Sequence, residues 1–349
     1  MKNKLSIGNY KLVIILLFLF LILSIGIFAT IGSASISVLD TFKIIASKVP
    51  VLRRFVDISN ISSSSMIIIW CIRLPRVLLG VLVGASLSMA GAAFQGMFKN
   101  PMADPYVIGV SSGAALGATI AIILKLSFSF FNISAISILA FIGALVAVFL
   151  VYNIARIKNQ VPVTTLLLSG VAIGQFFTAI MSFLMVIYNN DMAKIIYWTM
   201  GSLAGKGWDP IIGLTIPVLI SMVLINFFAR DLNIMLTGEE SAKSLGVDVE
   251  KTKVYILILG TFMTSLVVSV SGIIGFVGLI IPHIVRLLIG PDHRILLPAS
   301  ALLGGIFMIF TDTIARMIIS PIEIPVGIIT ALFGGPFFIY LLKKKKNYS

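Results

Sequence analysis

Long apolar runs, each close to the length of a lipid bilayer and separated by short polar boxes, follow one another along most of this chain. The clearest is Val77 to Phe98, 22 residues without a charge, set between Arg73-Leu-Pro-Arg76 and Lys99-Asn-Pro-Met-Ala-Asp104-Pro105. At about 1.5 Å of rise per residue a helix of that length reaches roughly 33 Å, enough for a hydrocarbon core of about 30 Å. The same measure predicts ten spanning helices, near residues 12–32, 77–98, 106–124, 135–155, 161–188, 210–229, 254–271, 275–290, 295–318 and 324–342. The charge-free stretch Val254 to Val285 holds 32 residues, too many for one span, and Gly272, Gly275 and Gly278 supply a break between two. Small residues recur at every fourth position, first Gly80, Gly84, Ser88 and Ala92, then Gly109, Gly113 and Gly117. That stripe predicts closely packed helices in a bundle.

Composition agrees. With 59% hydrophobic and 11% charged residues over 349 positions, most of the chain has lipid as its solvent. The expected fold class is an all-α integral membrane protein, one polytopic domain over residues 1–349. A net charge of +13 would suit nucleic acid, but the cations sit in short loops between spans and in the Lys343-Lys344-Lys345-Lys346 tail, so no nucleic-acid partner is expected. An even number of spans puts both termini on one side, and placing that side in the cytoplasm gives it 16 of the 26 Lys and Arg residues. The first span follows Lys2, Lys4 and Lys11 like a signal peptide, yet its apolar run is too long and lacks a convincing cleavage site, so it is expected to stay. Residues 33–66 then form an outer segment with Lys43, Lys48, Arg53, Arg54 and a serine run, predicted as short surface helices and a linker. The single cysteine, Cys71, excludes an intrachain disulfide and a cysteine metal cluster.

A membrane protein that moves a cargo does so at the expense of an ion gradient or of a nucleotide. The chain has no Gly-x4-Gly-Lys-Ser/Thr loop, so ATP would have to be used by a partner. Acidic residues and histidines are missing from the middle of nearly every span, with Asp312, His283 and Arg286 toward span ends, which counts against a gradient-driven carrier. A lipid-modifying enzyme would need a convergent acid, base and nucleophile, and none is evident. The loop 233–253 contains Thr237-Gly-Glu-Glu240-Ser-Ala-Lys-Ser-Leu-Gly246, with capping-box spacing from Thr237 to Glu240 and a glycine suited to the left-handed C-terminal position. It is either a rigid grip for a partner or an ordinary amphipathic loop helix.

From Arg73 onward the chain resembles the FecCD family, the permease subunits of ATP-binding-cassette importers for iron siderophores, haem and vitamin B12. The resemblance is carried by Arg73-Leu-Pro-Arg76, Asn100-Pro-Met-Ala-Asp-Pro105, Gly109-Val-Ser-Ser-Gly-Ala114, Leu168-Ser-Gly170, Trp198-Thr-Met-Gly201, Gly272-Ile-Ile-Gly-Phe-Val-Gly-Leu-Ile-Ile-Pro-His283, Gly290-Pro-Asp-His-Arg294, Asp312-Thr-Ile-Ala-Arg316 and Glu323-Ile-Pro-Val-Gly327. The first 70 residues match only as one span with an outer segment.

The resemblance implies a permease with ten spans in the cytoplasmic membrane. Its partners would be a second permease subunit, identical or paralogous, two cytosolic ATPases and an external substrate-binding protein. It implies ATPase coupling through Glu239, Glu240, Ala242, Leu245 and Gly246, with Ser241 in place of the family's usual alanine. It also implies binding-protein docking at Arg73, Arg76 and Arg316, where the residues alone allow interfacial anchoring or an internal Asp312–Arg316 pair. Asn100, Thr164 and Thr165 match the family's cytoplasmic gate, although they equally suit a loop-starting asparagine and hydroxyls near a helix start after Pro162. No cofactor is expected on this chain, ATP and Mg being used by the partner ATPase. His283 alone cannot form an iron site, and the iron would travel inside its chelator. The expected cargo is an iron chelate of the ferric-siderophore kind, with haem or a corrinoid as the alternative.

Overall fold

The computed structural model of the protein describes residues 7–130, 133–158 and 160–346. Lys2 and Lys4 of the charge count lie outside them. In chain order the helices are α1 (Ile7–Thr30), α2 (Val38–Ser47), α3 (Ser63–Ile67), α4 (Leu74–Met97), α5 (Val110–Ile123), α6 (Ala135–Ala155), α7 (Val163–Ile187) and α8 (Met192–Thr199). They continue with α9 (Trp208–Phe227), α10 (Ala229–Met235), α11 (Glu239–Ser244), α12 (Val249–Ser271), α13 (Val277–Leu288), α14 (His293–Met317) and α15 (Val326–Lys346). Two-residue strands, β1 (Ser129–Phe130) and β2 (Ile133–Ser134), pair antiparallel between α5 and α6.

Each predicted span coincides with a helix: α1, α4, α5, α6, α7, α9, α12, α13, α14 and α15. Seven helical stretches are long and apolar enough to cross a membrane, while α5, α13 and α15 supply shorter apolar segments. The chain is a multi-pass membrane protein. The outer segment folds as predicted into short helices, with α2 capped by Ser37, whose side chain accepts the Asp40 amide at 3.0 Å.

Two span boundaries need correction. The third span starts at Val110, not 106, because Asp104 accepts the Tyr106 amide at 2.8 Å, Pro105 opens a single 3-10 turn, and Gly109 ends it at φ +85°. The Tyr106 hydroxyl then donates to the Ile274 carbonyl at 3.1 Å, and Pro105 lies against Gly278, so this loop folds onto the predicted break between α12 and α13. The second span starts earlier than its charge-free run. Helix α3 continues through a π-helical segment, Ile68–Arg73, directly into α4, so Arg73 and Arg76 lie within one helical rod and not ahead of it. The wider turn places Pro75, which lacks an N–H, in the first turn of α4, where no donor is required.

Helix α4 is buried on nearly all sides and packs on α14, α12, α13 and α9. Its small-residue stripe is what admits α14 so closely: a Cβ at Gly84 would stand 2.2 Å from the Gly304 carbonyl oxygen, and one at Gly304 would stand 2.1 Å from Ser88 Oγ. Helices α5 and α6 use the same device at Gly113 and Gly143. Helix α7 is the least covered of the long helices and leaves Leu168, Val171, Phe176, Phe183 and Val186 exposed. Lipid or a neighbouring subunit is the only solvent that suits such a face.

Gly84→Leu is expected to force α4 and α14 apart and destabilise the protein by about 3 kcal/mol, seen as a lower unfolding temperature in detergent. Gly80→Ala, whose new methyl would meet only side-chain atoms, Ile309 at 3.2 Å and Leu203 at 3.3 Å, is expected to change stability by less than about 1 kcal/mol.

Candidate functional site

The charged side chains that the spans bury or half-bury gather at the two ends of the bundle. At one end, α4 and α14 bring Arg76 and Asp312 together. Arg76 donates from Nε to both carboxylate oxygens, at 3.1 and 3.0 Å, and from Nη2 to Oδ1 at 2.9 Å. Its Nη1 reaches Glu323 Oε2 at 2.7 Å. Arg316, one turn beyond Asp312, makes a second charge contact with it at 3.3 Å, too poorly directed for a hydrogen bond, and donates to the Ile31 carbonyl at 3.1 Å and Thr313 Oγ1 at 3.0 Å. Arg73 donates to the carbonyls of Thr30 and Ala34, where the chain leaves α1.

The three arginines are therefore turned inward, only 4%, 6% and 7% exposed for Arg73, Arg76 and Arg316. Every guanidinium is engaged by internal acceptors, and the internal Asp312–Arg316 pair is present. Together they brace α1, α4, α14 and the turn at Glu323. Two arginines share the carboxylate of Asp312, itself 1% exposed, and removing one member of such a group leaves a buried charge uncompensated.

The opposite end is built around α11. The expected capping box is absent: Gly238, at φ +129°, precedes the helix without a side-chain cap, and the Thr237 hydroxyl instead donates to the Ile234 carbonyl at 2.8 Å. A glycine in that position leaves the backbone extended beyond what Thr237 can reach. The C-terminal expectation holds. Gly246 takes φ +85°, its amide donates to the Lys243 carbonyl at 3.0 Å, and the Val247 amide donates to that of Ala242 at 3.0 Å. This is a Schellman closure, and Ala242 and Val247 complete it by packing with Met235 and Val249. Glu240, Leu245 and Gly246 project outward, Leu245 being 66% exposed.

A group not singled out from the sequence fixes α11 in place. Lys253, buried in the first turn of α12, contacts Glu239 at 2.9 Å and Glu250 at 3.1 Å, and the other oxygen of Glu250 accepts the Val161 amide at 3.0 Å. One ammonium and one carboxylate thus join α11 to the residues that start α7. The contact with Lys253 holds the Glu239 carboxyl below the usual glutamate range, and partial burial opposes this more weakly. The Glu250–Lys253 spacing at i,i+3 was the signal available. Asn233, at the end of the same loop, donates to Asp292 at 2.7 Å and accepts the His293 amide at 2.8 Å, so α10 is tied to α14 as well. Hydrogen bonds from Arg294 above all hold the Asp292 carboxyl down at about 2.

Of the gate residues, Asn100 is exposed and accepts the Met102 amide at 2.9 Å, a local turn. Thr164 and Thr165 lie in the first turn of α7 after Pro162, as expected. Among the described residues no hydrogen bond joins Asn100 to either threonine. His283 packs edge-on against Phe337 at 6.1 Å, and the described residues contain no group of three or more His, Cys, Asp and Glu placed to hold a metal ion.

Lys253→Met is expected to raise hydrogen exchange in α11 about fivefold at neutral pH, the effect of about 1 kcal/mol from a half-exposed pair. Because folding depresses the Glu239 pKa, its contribution in the unaltered protein is complete above about 4.3 and is lost as the pH falls through the lower folded value. Acidification below that range should therefore reproduce the Lys253→Met exchange pattern. Asp312→Asn is expected to cost about 3 to 5 kcal/mol, read as a fall in the unfolding temperature.

Residues 15–344 match the FecCD transport family. The chain is 47% identical, over 82% of its own length and 76% of the relative's, to the cobalamin import system permease protein BtuC of Halobacterium salinarum. It is 35% identical, over 98% and 97%, to the Fe(3+)-citrate import system permease protein YfmD of Bacillus subtilis. A solved structure described as an inward-facing ABC transporter of the metal-chelate type superposes with a TM-score of 0.80 at 32% identity, covering 95% of this chain and 98% of that one. The chain belongs to the FecCD transport family, as a permease of an ATP-binding-cassette importer.

Proposed function

We propose that this permease carries an iron chelate inward across the cytoplasmic membrane, using ATP and Mg consumed by two separate ATPase subunits. The observation that carries the reading is α11, a short helix closed by Gly246, presenting Glu240 and Leu245 outward and fixed through Glu239 and Lys253 to the start of α7. A rigid projection is what a nucleotide-driven partner needs if its movement is to reach the spans. The sequence distribution of Lys and Arg, 16 of 26 inside when the loops alternate from cytoplasmic termini, supports that orientation, with α11 on the cytoplasmic side.

An external binding protein docks on the opposite end, on a face whose shape Arg73, Arg76 and Arg316 maintain from beneath. A second permease copy or paralogue covers the exposed face of α7. Asn100, Thr164 and Thr165 then line the cytoplasmic exit, where uncharged polar groups close without trapping a charged cargo. The iron-citrate relative, similar over almost the full chain, supports an iron chelate. Cobalamin is the second reading, favoured by the 47% identity to the archaeal permease.

Reconstitution with the ATPase and binding protein in vesicles tests the reading. ATP-dependent uptake of a ferric chelate that survives an uncoupler is the expected result; uptake that collapses with the uncoupler while ATP is maintained would show a gradient-driven carrier. Gly246→Trp forces a side chain into a left-handed position, a strain of about 1–2 kcal/mol, and should abolish uptake with membrane insertion intact.

A further inference from the structure

A further cavity lies near the arginine end of the bundle. It holds about 710 Å³ between the C-terminal end of α5, the start of α6, helix α8, the loop 202–206 and the last turn of α12. Leu203 in that loop packs on Gly80, early in α4, which fixes the cavity on the side away from α11. Three lysines line it, Lys125, Lys194 and Lys206, and no carboxylate does. Lys194 is engaged by Asp191 at 3.0 Å. Lys125 and Lys206 have no acceptor among the described residues. Lys206 is half-buried, and burial pushes its ammonium below the usual lysine range.

Lys125 is exposed, but for Lys206 an ammonium half taken from water without an acceptor is unfavourable, and an anion in the cavity relieves it. Ile136, Tyr197 and Trp198 also line it, so the uncharged carbon skeleton of an anionic chelate has apolar wall to rest against. Lysine, with a compact charge on a flexible stem, holds an anion less rigidly than an arginine fork, which fits capture that must be released. The floor is Ser271–Gly272, where the Ser202 amide donates to the Ser271 carbonyl at 2.7 Å, so an occupant would rest on the break between α12 and α13.

We infer that this cavity is an oxyanion site, with Lys125 and Lys206 as its cationic contacts, that receives the carboxylate face of the cargo. The cargo is then a small polyanionic chelate of the hydroxycarboxylate kind. The inference rests on the iron-chelate reading above. A lipid phosphate offers the same chemistry, and the two sources can be told apart.

The purified full-length permease in phosphatidylcholine nanodiscs is treated with a dilute amine-acylating reagent, and modification of each lysine is followed by mass spectrometry. Ferric citrate should slow modification of Lys125 and Lys206 about tenfold, the effect of one charge-assisted hydrogen bond, while cyanocobalamin leaves both unchanged. Protection by added phosphatidylglycerol but not by ferric citrate would assign the site to lipid and overturn the cargo assignment; equal protection by cobalamin, or none by any probe, would overturn the site. In vesicles with the ATPase and binding protein, the Lys125→Met, Lys206→Met double variant should lose about tenfold in ferric citrate uptake, with uptake of a neutral hydroxamate chelate retained. Equal loss for both chelates would overturn the inference. If the unaltered complex takes up no iron chelate while the ferric citrate footprint persists, the iron-chelate reading fails and the anion site stands.

Discussion

Helices in a bilayer gain nothing by hiding leucine from lipid, because the lipid is as apolar as the leucine. Association has to come from contact itself, and contact improves as backbones approach. Gly84 against Gly304, and Gly113 against Gly143, bring main chains closer than any side chain would permit. The remaining features depend on that closeness. Asp312 meets Arg76 only because α4 and α14 lie nearly in contact along their length, and Pro105 can pack onto the break between α12 and α13 because Gly278 leaves room for it.

The same solvent explains where the charges lie. A charge in mid-membrane is costly, so the ionic groups that the structure buries are at the ends of the spans and are shared. Asp312 serves two arginines, and Lys253 serves two glutamates. The two clusters are alike in construction but differ in what they leave exposed. The arginine end turns Arg73, Arg76 and Arg316 inward, whereas the α11 end leaves Glu240 and Leu245 exposed.

Much of this was legible in the sequence, since bilayer thickness imposes a length on every span. All ten apolar runs correspond to helices, and Gly246 and the 272–278 break behave as their residue types dictate. Errors arose where two local rules competed. Thr237 had the right spacing for a capping box, but the intervening Gly238 took an extended left-handed conformation and carried the chain away from it. Arg73 and Arg76 looked like the polar edge of a span because periodicity does not reveal a π-helical turn that lets α3 run on into α4. The inward orientation of the arginines depends on Asp312, 236 positions away from Arg76, and on carbonyls at the end of α1, neither of which local sequence can place. The Lys253 junction showed only its i,i+3 Glu250–Lys253 spacing, since Glu239 is distant in sequence and Val161 contributes only a backbone amide.

Helix α12 begins at that junction and runs without interruption to Ser271. Its 23 residues make a rod of roughly 34 Å, with Lys253 in its first turn and the floor of the lysine-lined cavity at its other end. A rod of that stiffness passes a push or a tilt along its axis as a single body. A displacement at the α11 end would then reach Gly272 along the helix axis, without a cascade of side-chain rearrangements.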